Sequence, residues 1–528
     1  MNDMMKRSLA TGRMDRRSFM AAALAAGVSL TAAARMAGDA MAATPKQGGT
    51  LRFGSRQGET TDTMDPATYN NDFMFVIGFA VFSSLVEIGP DGIVQPDLAE
   101  SFEATPDAKT WIFRLRDGVK FSNGKTVTAR DVLASISYHM GESSKSGVKP
   151  LLKQITDMKA DGDNAVIFTL SQGNADFPYV FNDYHLGIRP AEANGAIDPT
   201  TRIGSGGYTL ETFDPGVHAV LKRRNDYWKP GRAHVDTVEI FTLADIAARV
   251  SALVTDQVDV IDRPDLKTIH MLERDSNIKI HIQNGALHYV LPMHTDTAPF
   301  TDNNVRLALK YAIDREDVVR KVLNGYGVVG NDQPITPSLL YYDAKLPPRA
   351  YDPEKSKFHL KKSGLSSLKV DLHTSDVAFS GAVDMCILFA ESAKAAGIDI
   401  NVVRESDDGY WSNIWLKKPF CTSHWGGRPT ADLMFSTAYA AGAEWNESHF
   451  NNERFNKLLA EARPELDQSK RAEMYAEMQR LVSDEGGTII PAFGQTVSAM
   501  NKRVQKPDAV TQLWNLDGLR FIERWWLA

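Results

Sequence analysis

Cysteine is scarce in this sequence of 528 residues, where only Cys386 and Cys421 occur. The CxxC and histidine-rich spacings of structural zinc sites are missing, and the irregularly spaced His281, His288 and His294 do not resemble a ligand set. We therefore expect no metal site. An oxidising compartment would allow the two cysteines to pair, and two buried free thiols are the alternative that the sequence leaves open.

Catalytic signatures are also lacking. The sequence contains no G-x-S-x-G, H-E-x-x-H or protein-kinase motif set. Gly118 and the GKT run at 124–126 nearly make a P-loop, but the spacing is one residue too long and no strand–loop–helix context surrounds them. We expect that the protein is not an enzyme and that it uses no cofactor.

Neither a strong net charge nor a long apolar run is present after the N-terminus. The formal net charge of −7 is mild for this length, so it gives no reason to expect a nucleic-acid partner. A membrane span needs about 20 apolar residues, and no such run occurs, so we expect no insertion into a membrane. The length exceeds one hydrophobic core and indicates two or three domains.

The first 43 residues have the pattern of an export signal. A basic segment at 6–17 precedes an apolar run of small residues at 21–34, and the AMA triplet at 40–42 offers a small-x-small cleavage site. The motif DRRSFM at 15–20 resembles the twin-arginine signal. A transmembrane anchor is the alternative, but the apolar run is too short for one. We therefore expect a Tat-type signal peptide at 1–43 and a monomeric, periplasmic mature protein.

Strands and helices alternate along the rest of the chain. Residues 368–373 are predicted as a strand, 382–396 as a helix and 398–403 as a second strand, which together form a βαβ unit. Asp314 can cap a further helix at 315–323. This alternation is typical of α/β domains.

Six blocks of sequence, in register over most of the chain, resemble those of one protein family. They are MDPA at 64–67, the stretch from LAESF at 98–102 through NGKTVTARDV at 123–132, GSGGY at 204–208, RNDYW at 224–228, VRLALKYAIDR at 305–315 and YDPEK at 351–355. The family is that of the dipeptide/oligopeptide/nickel solute-binding proteins (family 5), the extracytoplasmic receptors of ABC importers.

The resemblance implies an α/β fold of two lobes, the periplasmic-binding-protein fold of cluster C type, with an extra subdomain in lobe I. Lobe I would comprise 44–283 and 484–528, with its subdomain at 78–204, and lobe II would comprise 284–483. The chain would cross between the lobes near 283 and 484. A ligand enclosed in the cleft would stabilise the closed state through its higher affinity for that state.

Proteins of this family capture a small molecule and deliver it, chemically unchanged, to an inner-membrane ABC permease. We expect the same role here, with a small peptide-like or anionic metabolite as the ligand. The alternatives are a receptor that signals to a chemoreceptor or sensor kinase, a binder of metal chelates, and a hydrolase built on a similar scaffold.

The segment SHWGGRPTAD at 423–432 matches the stretch of lobe II that contacts the ligand in this family. In peptide-binding members an aspartate there holds the α-ammonium group, and Arg428 takes that position here. A guanidinium repels an ammonium but offers a bidentate fork to a carboxylate or phosphate. We therefore expect Arg428 to bind an acidic group of the ligand. The alternative is that Arg428 pairs with Asp432 or points to solvent.

Other residues are also expected at the ligand: the resemblance implies Trp425 and residues 69–72, whereas Trp445 and Asn446 follow a small-residue run at 440–443 that is typical of a loop, and Tyr439 is one of the aromatic residues near them. Aromatic side chains suit a cleft wall because they stack on a ligand while their polar atoms donate hydrogen bonds. From lobe II we expect, beside Arg428, the residues Trp425, Gly426, Gly427, Tyr439, Trp445 and Asn446. From lobe I we expect Tyr69, Asn70, Asn71 and Asp72, which follow the Asp-Pro turn.

Overall fold

The structure is a computed structural model of the chain and describes residues 45–407 and 409–528. The predicted signal peptide at 1–43 lies outside the described residues. Among the helices in the described ranges, none combines the length and the apolar character needed to cross a bilayer. Cys386 and Cys421 are both buried free thiols, which is the second of the two alternatives for the cysteines.

The strands are short except for two that run through the middle of the molecule. In chain order they are β1 (Thr50–Ser55), β2 (Val86–Ile88), β3 (Val94–Pro96), β4 (Ala99–Ala104), β5 (Thr110–Leu115), β6 (Ile155–Ala160), β7 (Ala165–Leu170), β8 (Tyr208–Asp214), β9 (His218–Arg223), β10 (Thr237–Thr242), β11 (Val260–Asp262), β12 (Ile278–Pro292), β13 (Gly327–Val329), β14 (Leu368–Thr374), β15 (Ile398–Arg404), β16 (Ser423–Trp425), β17 (Thr488–Ile489), β18 (Ala492–Asn501), β19 (Val504–Gln505) and β20 (Trp526–Leu527).

The helices lie between these strands. They are α1 (Asp72–Val81), α2 (Ala129–Met140), α3 (Lys149–Leu152), α4 (Phe177–Val180), α5 (Ile246–Val254), α6 (Ile269–Leu272), α7 (Asn303–Ala312), α8 (Arg315–Asp317), α9 (Pro353–Lys362), α10 (Ala382–Ala393), α11 (Tyr410–Asn413), α12 (Ala431–Ala438), α13 (Glu453–Ala462), α14 (Gln468–Glu485) and α15 (Phe521–Arg524). Short 3₁₀ turns occupy Pro66–Thr68 and Lys394–Ala396.

The largest sheet has ten strands, eight of them in the order β16-β12-β18-β11-β1-β10-β9-β8. β1 runs parallel to β10 and β11. β12 pairs with β18 in continuous antiparallel register from Ile278 to Asn284, and the ladder is then interrupted before His288. Beyond the interruption β12 pairs with β16 and β17, so this strand belongs to two parts of the molecule.

Two smaller sheets stand apart from the large one. β4, β5, β7 and β6 form a four-stranded antiparallel sheet in that order. β14 and β15 pair in parallel with α10 between them in the chain, which confirms the predicted βαβ unit. The helix predicted at 315–323 is only partly correct, because α8 stops at Asp317 and Val318–Val322 form a π-helical segment.

Buried apolar side chains form separate clusters that correspond to these sheets. One includes Phe73 of α1 and Trp525, a second includes Phe113 of the four-stranded sheet, and a third includes Leu309 and Phe389 near β14 and β15. Separate cores of this kind are what a chain longer than one domain requires.

Candidate ligand-binding cleft

A cavity of about 460 Å³ lies between three parts of the chain. One wall comes from residues 147–184, the opposite wall from 427–445, and Trp514 adds a side from the C-terminal segment. The charged residues in its lining are Asp176, Asp183, Arg428 and Asp432. A cavity of this size with aromatic walls and few charged groups is typical of a small-molecule site.

Arg428 is a partly buried cation in the wall of this cavity. Its guanidinium carbon lies 5.4 Å from the centre of the Trp425 ring, which is a cation–π arrangement. Burial lowers the pKa of Arg428, and the nearby Tyr184 acts in the opposite direction. Within the described ranges no residue forms an ion pair or hydrogen bond with the guanidinium. The site therefore holds a partly desolvated positive charge without an anionic partner.

The carboxylates of the lining differ from Arg428 in this respect, because each already has a basic partner. The pairs are Asp176 with Arg471 at 2.7 Å, Asp432 with Arg463 at 3.2 Å, and Asp183 with His185 at 2.5 Å. Asp432 is thus held by Arg463 and not by Arg428. The predicted alternative of an internal Arg428–Asp432 pair is wrong.

A buried carboxylate fixes the aromatic wall beside Arg428. The indole N–H of Trp425, at the end of β16, donates to Glu447 Oε1 at 2.8 Å, and the indole N–H of Trp415 donates to Glu447 Oε2 at 2.6 Å. Burial raises the pKa of Glu447, and these hydrogen bonds oppose the rise. Trp445 packs on both indoles, with ring centres 6.0 and 6.1 Å away. The three rings are therefore positioned before any ligand binds.

Tyr184 and Trp514 face this wall from the other side of the cavity. Their ring centres are 5.7 Å apart, and Tyr184 stacks on Phe75 of α1 at 3.6 Å. Burial raises the pKa of Tyr184, so it presents a neutral phenol to the cavity at physiological pH.

A left-handed turn at 516–519 follows Trp514 in the chain. Residues 516–519 all have positive φ angles, between 48° and 66°, and only one of them is glycine. Non-glycine residues in this conformation cost about 1–3 kcal/mol each. Asp517 offsets part of this cost, since its carboxylate accepts hydrogen bonds from Arg524 at 2.8 Å and from the indole of Trp525 at 3.3 Å.

The predicted lobe II residues divide into two groups. The cavity lining includes Gly427, Arg428 and Trp445, and Trp425 lies behind Arg428. Gly426, Tyr439 and Asn446 lie outside the lining. Tyr439 is buried against Phe435, and Asn446 exchanges hydrogen bonds with the backbone of Phe450 and so closes a turn.

The predicted lobe I residues do not line the cavity. These residues are Tyr69, Asn70, Asn71 and Asp72. Asn71 is the N-cap of α1, where its side chain accepts a hydrogen bond from the N–H of Met74 at 3.2 Å. Tyr69 is buried and donates to the carbonyl of Met64. The segment therefore starts a helix behind the wall instead of forming it.

The wall from residues 147–184 and the contribution of Trp514 are absent from the sequence-based prediction. The run NDYH at 182–185 is a local signal, since it places two polar residues next to an aromatic one. Nothing local to that run indicates that it faces Arg428. That contact depends on how distant segments assemble.

Known proteins share both the sequence pattern and the fold. The model for the middle region of the bacterial extracellular solute-binding proteins, family 5, matches residues 94–447. The dipeptide-binding protein of Escherichia coli K12 is 25% identical over 467 residues, which cover 80% of this chain and 86% of the relative.

Two solved structures extend the likeness over nearly the whole chain. HbpA2 from Haemophilus parasuis is 22% identical, with a TM-score of 0.81 over 91% of this chain and 100% of its own. AgaA from A. tumefaciens R10, in complex with agropinic acid, is 25% identical, with a TM-score of 0.68 over 91% of this chain and 99% of its own. The predicted two-lobed α/β fold with an extra subdomain in lobe I is confirmed. The chain belongs to family 5 of the bacterial extracellular solute-binding proteins.

Proposed function

We propose that the protein is the solute-binding component of an ABC importer and that its ligand is a small anionic metabolite of peptide-like or opine-like character. The observation that carries the proposal is the unpaired guanidinium of Arg428. It lies in a cavity whose own carboxylates are already paired with other basic groups.

The chemistry of the two walls supports an acidic ligand. A carboxylate that reaches Arg428 forms charge-assisted hydrogen bonds in a site from which water is partly excluded, and such bonds are about twice as strong as neutral ones. Trp445 and Tyr184 supply flat surfaces for the rest of the ligand. The agropinic acid bound by AgaA and the dipeptides named for the E. coli relative are both small molecules that carry a carboxylate.

We place the lobes where the family pattern predicts them, with lobe I at 44–283 and 484–528 and lobe II at 284–483. The interrupted ladder between Asn284 and His288 supports the first crossing. The end of α14 at Glu485 supports the second crossing, because both are breaks in regular structure at which a hinge can bend.

Contacts across the cavity support a closed arrangement of the lobes. The Asp176–Arg471 ion pair joins the subdomain to lobe II at 2.7 Å. Nearby, the N–H of Ala175 donates to the carbonyl of Arg463 at 2.8 Å. A ligand that touches both walls would add to these contacts and stabilise the closed state.

A role in transport without catalysis completes the proposal. The relatives are named for what they bind and not for a reaction. In this role the protein releases its ligand unchanged to an inner-membrane permease. A purely signalling role has no observation in its favour.

The first experiment identifies the ligand. The protein is purified without denaturation and examined by native mass spectrometry, and acidic peptides, glutathione and agropinic acid are then tested by thermal shift. Each compound is paired with the same compound carrying carboxamides. We expect only the acids to raise the Tm, since a ligand at 100 times its Kd stabilises the folded state by about 2.7 kcal/mol.

Two results would contradict different parts of the proposal. Equal shifts from acids and amides would remove the anionic ligand but keep the solute-binding role. A protein that retains no small molecule and responds to no compound in a broad metabolite library would argue against solute binding itself.

We also propose that export uses the twin-arginine pathway. Changing Arg16 and Arg17 together to lysine is expected to abolish export, because this pathway requires the arginine pair and not only positive charge. The measurement is an immunoblot of periplasmic and cytoplasmic fractions. Arg13→Lys is the matched control and should be exported normally. Wild-type export of the double variant would indicate the Sec pathway instead.

A further inference from the structure

Two histidines and an aspartate meet on the surface of the 284–483 segment, outside the cavity described above. His294 and Asp296 belong to the loop after β12, and His449 belongs to the loop before α13. His449 Nδ1 lies 2.9 and 3.0 Å from the two carboxylate oxygens of Asp296. The rings of His294 and His449 stack with their centres 3.9 Å apart. One ligand atom from each residue lies within 4.8 Å of the other two.

Backbone hydrogen bonds tie the two loops together. The N–H of Thr295 donates to the carbonyl of Ser448 at 2.8 Å, and the N–H of His294 anchors the first loop to a third segment through the carbonyl of Pro419 at 2.9 Å. The hydroxyl of Thr295 donates to the carbonyl of His449 at 2.9 Å. The three side chains therefore project from a backbone that is already cross-linked, which lowers the entropic cost of assembling a site.

The conformation of His449 is also unusual. Its φ angle is 53°, in the left-handed region that non-glycine residues seldom adopt. Such strain persists where the surrounding contacts impose it, and it is concentrated at functional positions. In this conformation the imidazole of His449 contacts Asp296 and stacks on His294.

We propose that His294, Asp296 and His449 bind a divalent transition-metal ion of the Zn²⁺ class. Two imidazoles and one carboxylate are a donor set that suits Zn²⁺, Ni²⁺ or Cu²⁺ and does not suit Mg²⁺ or Ca²⁺, which prefer oxygen ligands. Three protein ligands leave at least one position for water.

Metal binding requires at least one imidazole to turn out of the stack, because the ring nitrogens bind in the plane of the ring and the two planes are now only 24° apart. Bonds of about 2.0–2.2 Å in a tetrahedral site bring ligand atoms to roughly 3.4 Å from one another. The side chains of His449 and Asp296 are 38% and 61% exposed, so they are free to close around an ion. In the described part of the chain, the ring nitrogens of His294 have no hydrogen-bond partner, so they are available to the metal.

The site would also act on the ligand cleft through the loop that carries His449. Glu447, two residues earlier, holds the indoles of Trp415 and Trp425. A metal that joins the two loops would restrict the motion of Glu447. The metal site does not depend on the proposed ligand, however, and is tested without it.

The experiment measures binding of Zn²⁺ alone to untagged, chelator-treated protein by isothermal titration calorimetry, with Mg²⁺ as the comparison ion. The variants are Asp296→Asn and His449→Asn, because asparagine tolerates the left-handed conformation and keeps the loop folded. His270→Asn is the matched control, since His270 is exposed and outside the cluster. Circular dichroism verifies that each variant is folded.

We expect one equivalent of Zn²⁺ and no Mg²⁺ to bind wild type and His270→Asn. Each cluster variant is expected to lose at least about tenfold in affinity. The Tm of wild type, but not of the cluster variants, should rise with Zn²⁺. The proposal is overturned if wild type does not bind Zn²⁺, if the cluster variants bind it as tightly as wild type, or if His270→Asn weakens binding equally. The cluster would then be only an ion pair with a stacked imidazole.

Discussion

Replacing Asp332 with asparagine is expected to destabilise the protein by about 3–5 kcal/mol. The carboxylate is fully buried and accepts two hydrogen bonds from Arg315 Nη2, at 2.7 and 2.8 Å, and one from Arg349 Nε at 3.0 Å. Asparagine keeps the shape but removes the charge. The guanidinium of Arg315, whose side chain is 1% exposed, would then be a buried positive charge with no negative charge to neutralise it.

The loss is large against a typical total stability of about 5–15 kcal/mol. Urea unfolding followed by tryptophan fluorescence should show a clearly lower midpoint. Asp399→Asn is the control, because Asp399 forms a surface pair with Lys369 at 3.8 Å in which both side chains are mostly exposed, and such pairs contribute little. Equal midpoints for Asp332→Asn and wild type would mean that the buried charges are not needed for stability.

The same variant has a predictable pH dependence. Burial would raise the pKa of Asp332, but the cationic side chains of Arg315, Lys310 and Arg349 hold it below its usual value. A carboxyl whose folded-state pKa is depressed contributes stability above its unfolded pKa of about 3.9, and the contribution is lost as the pH falls further. The contribution of Asp332 itself to the difference between wild type and Asp332→Asn should therefore shrink in acid, as the pH falls below about 3.9.

Local signals in the sequence predict much of the fold. The βαβ unit of β14, α10 and β15 follows from alternating apolar residues and a glycine stop, which depend on near neighbours. The π-helical segment Val318–Val322 could not be predicted from the sequence. Asp314 caps a helix in the expected way, and no local sequence pattern indicates that the hydrogen bonding changes after Asp317.

The candidate site is likewise predictable from the sequence in part only. Arg428 is predicted because the family pattern identifies the strand-to-helix segment at 423–432, and Trp445 is predicted because it follows a run of small residues typical of a loop; both line the cavity. Residues 69–72 are predicted to contact the ligand but do not line the cavity. Asn71 is polar because it caps a helix, and sequence alone does not separate that structural role from ligand contact. Tyr184 and Trp514 approach Arg428 only after distant segments have folded together, so no local pattern reveals them.

Arg428→Gln is expected to weaken binding of the acidic ligand by roughly 30- to 1,000-fold, or about 2–4 kcal/mol. The reason is that the ligand carboxylate would be taken from water into the cavity without a cationic partner. Arg428→Lys should lose less, since it keeps the charge but not the bidentate fork. Calorimetry with the acid that gives the largest thermal shift measures both variants.

The stability of the ligand-free protein separates a binding role for Arg428 from a structural one. In the described ranges Arg428 has no ion pair or hydrogen bond to lose, and the loss of its cation–π contact with Trp425 is opposed by relief of the buried charge, so Arg428→Gln should change the Tm of the ligand-free protein only slightly. Arg404→Gln is the control, because Arg404 is 72% exposed and its nearest acidic group, on Asp376, is 3.8 Å away. This variant should change neither the affinity for the acidic ligand nor the Tm of the ligand-free protein. If Arg428→Gln kept wild-type affinity, or if a bound peptide placed its ammonium against Arg428, the guanidinium would not be the anion-binding group.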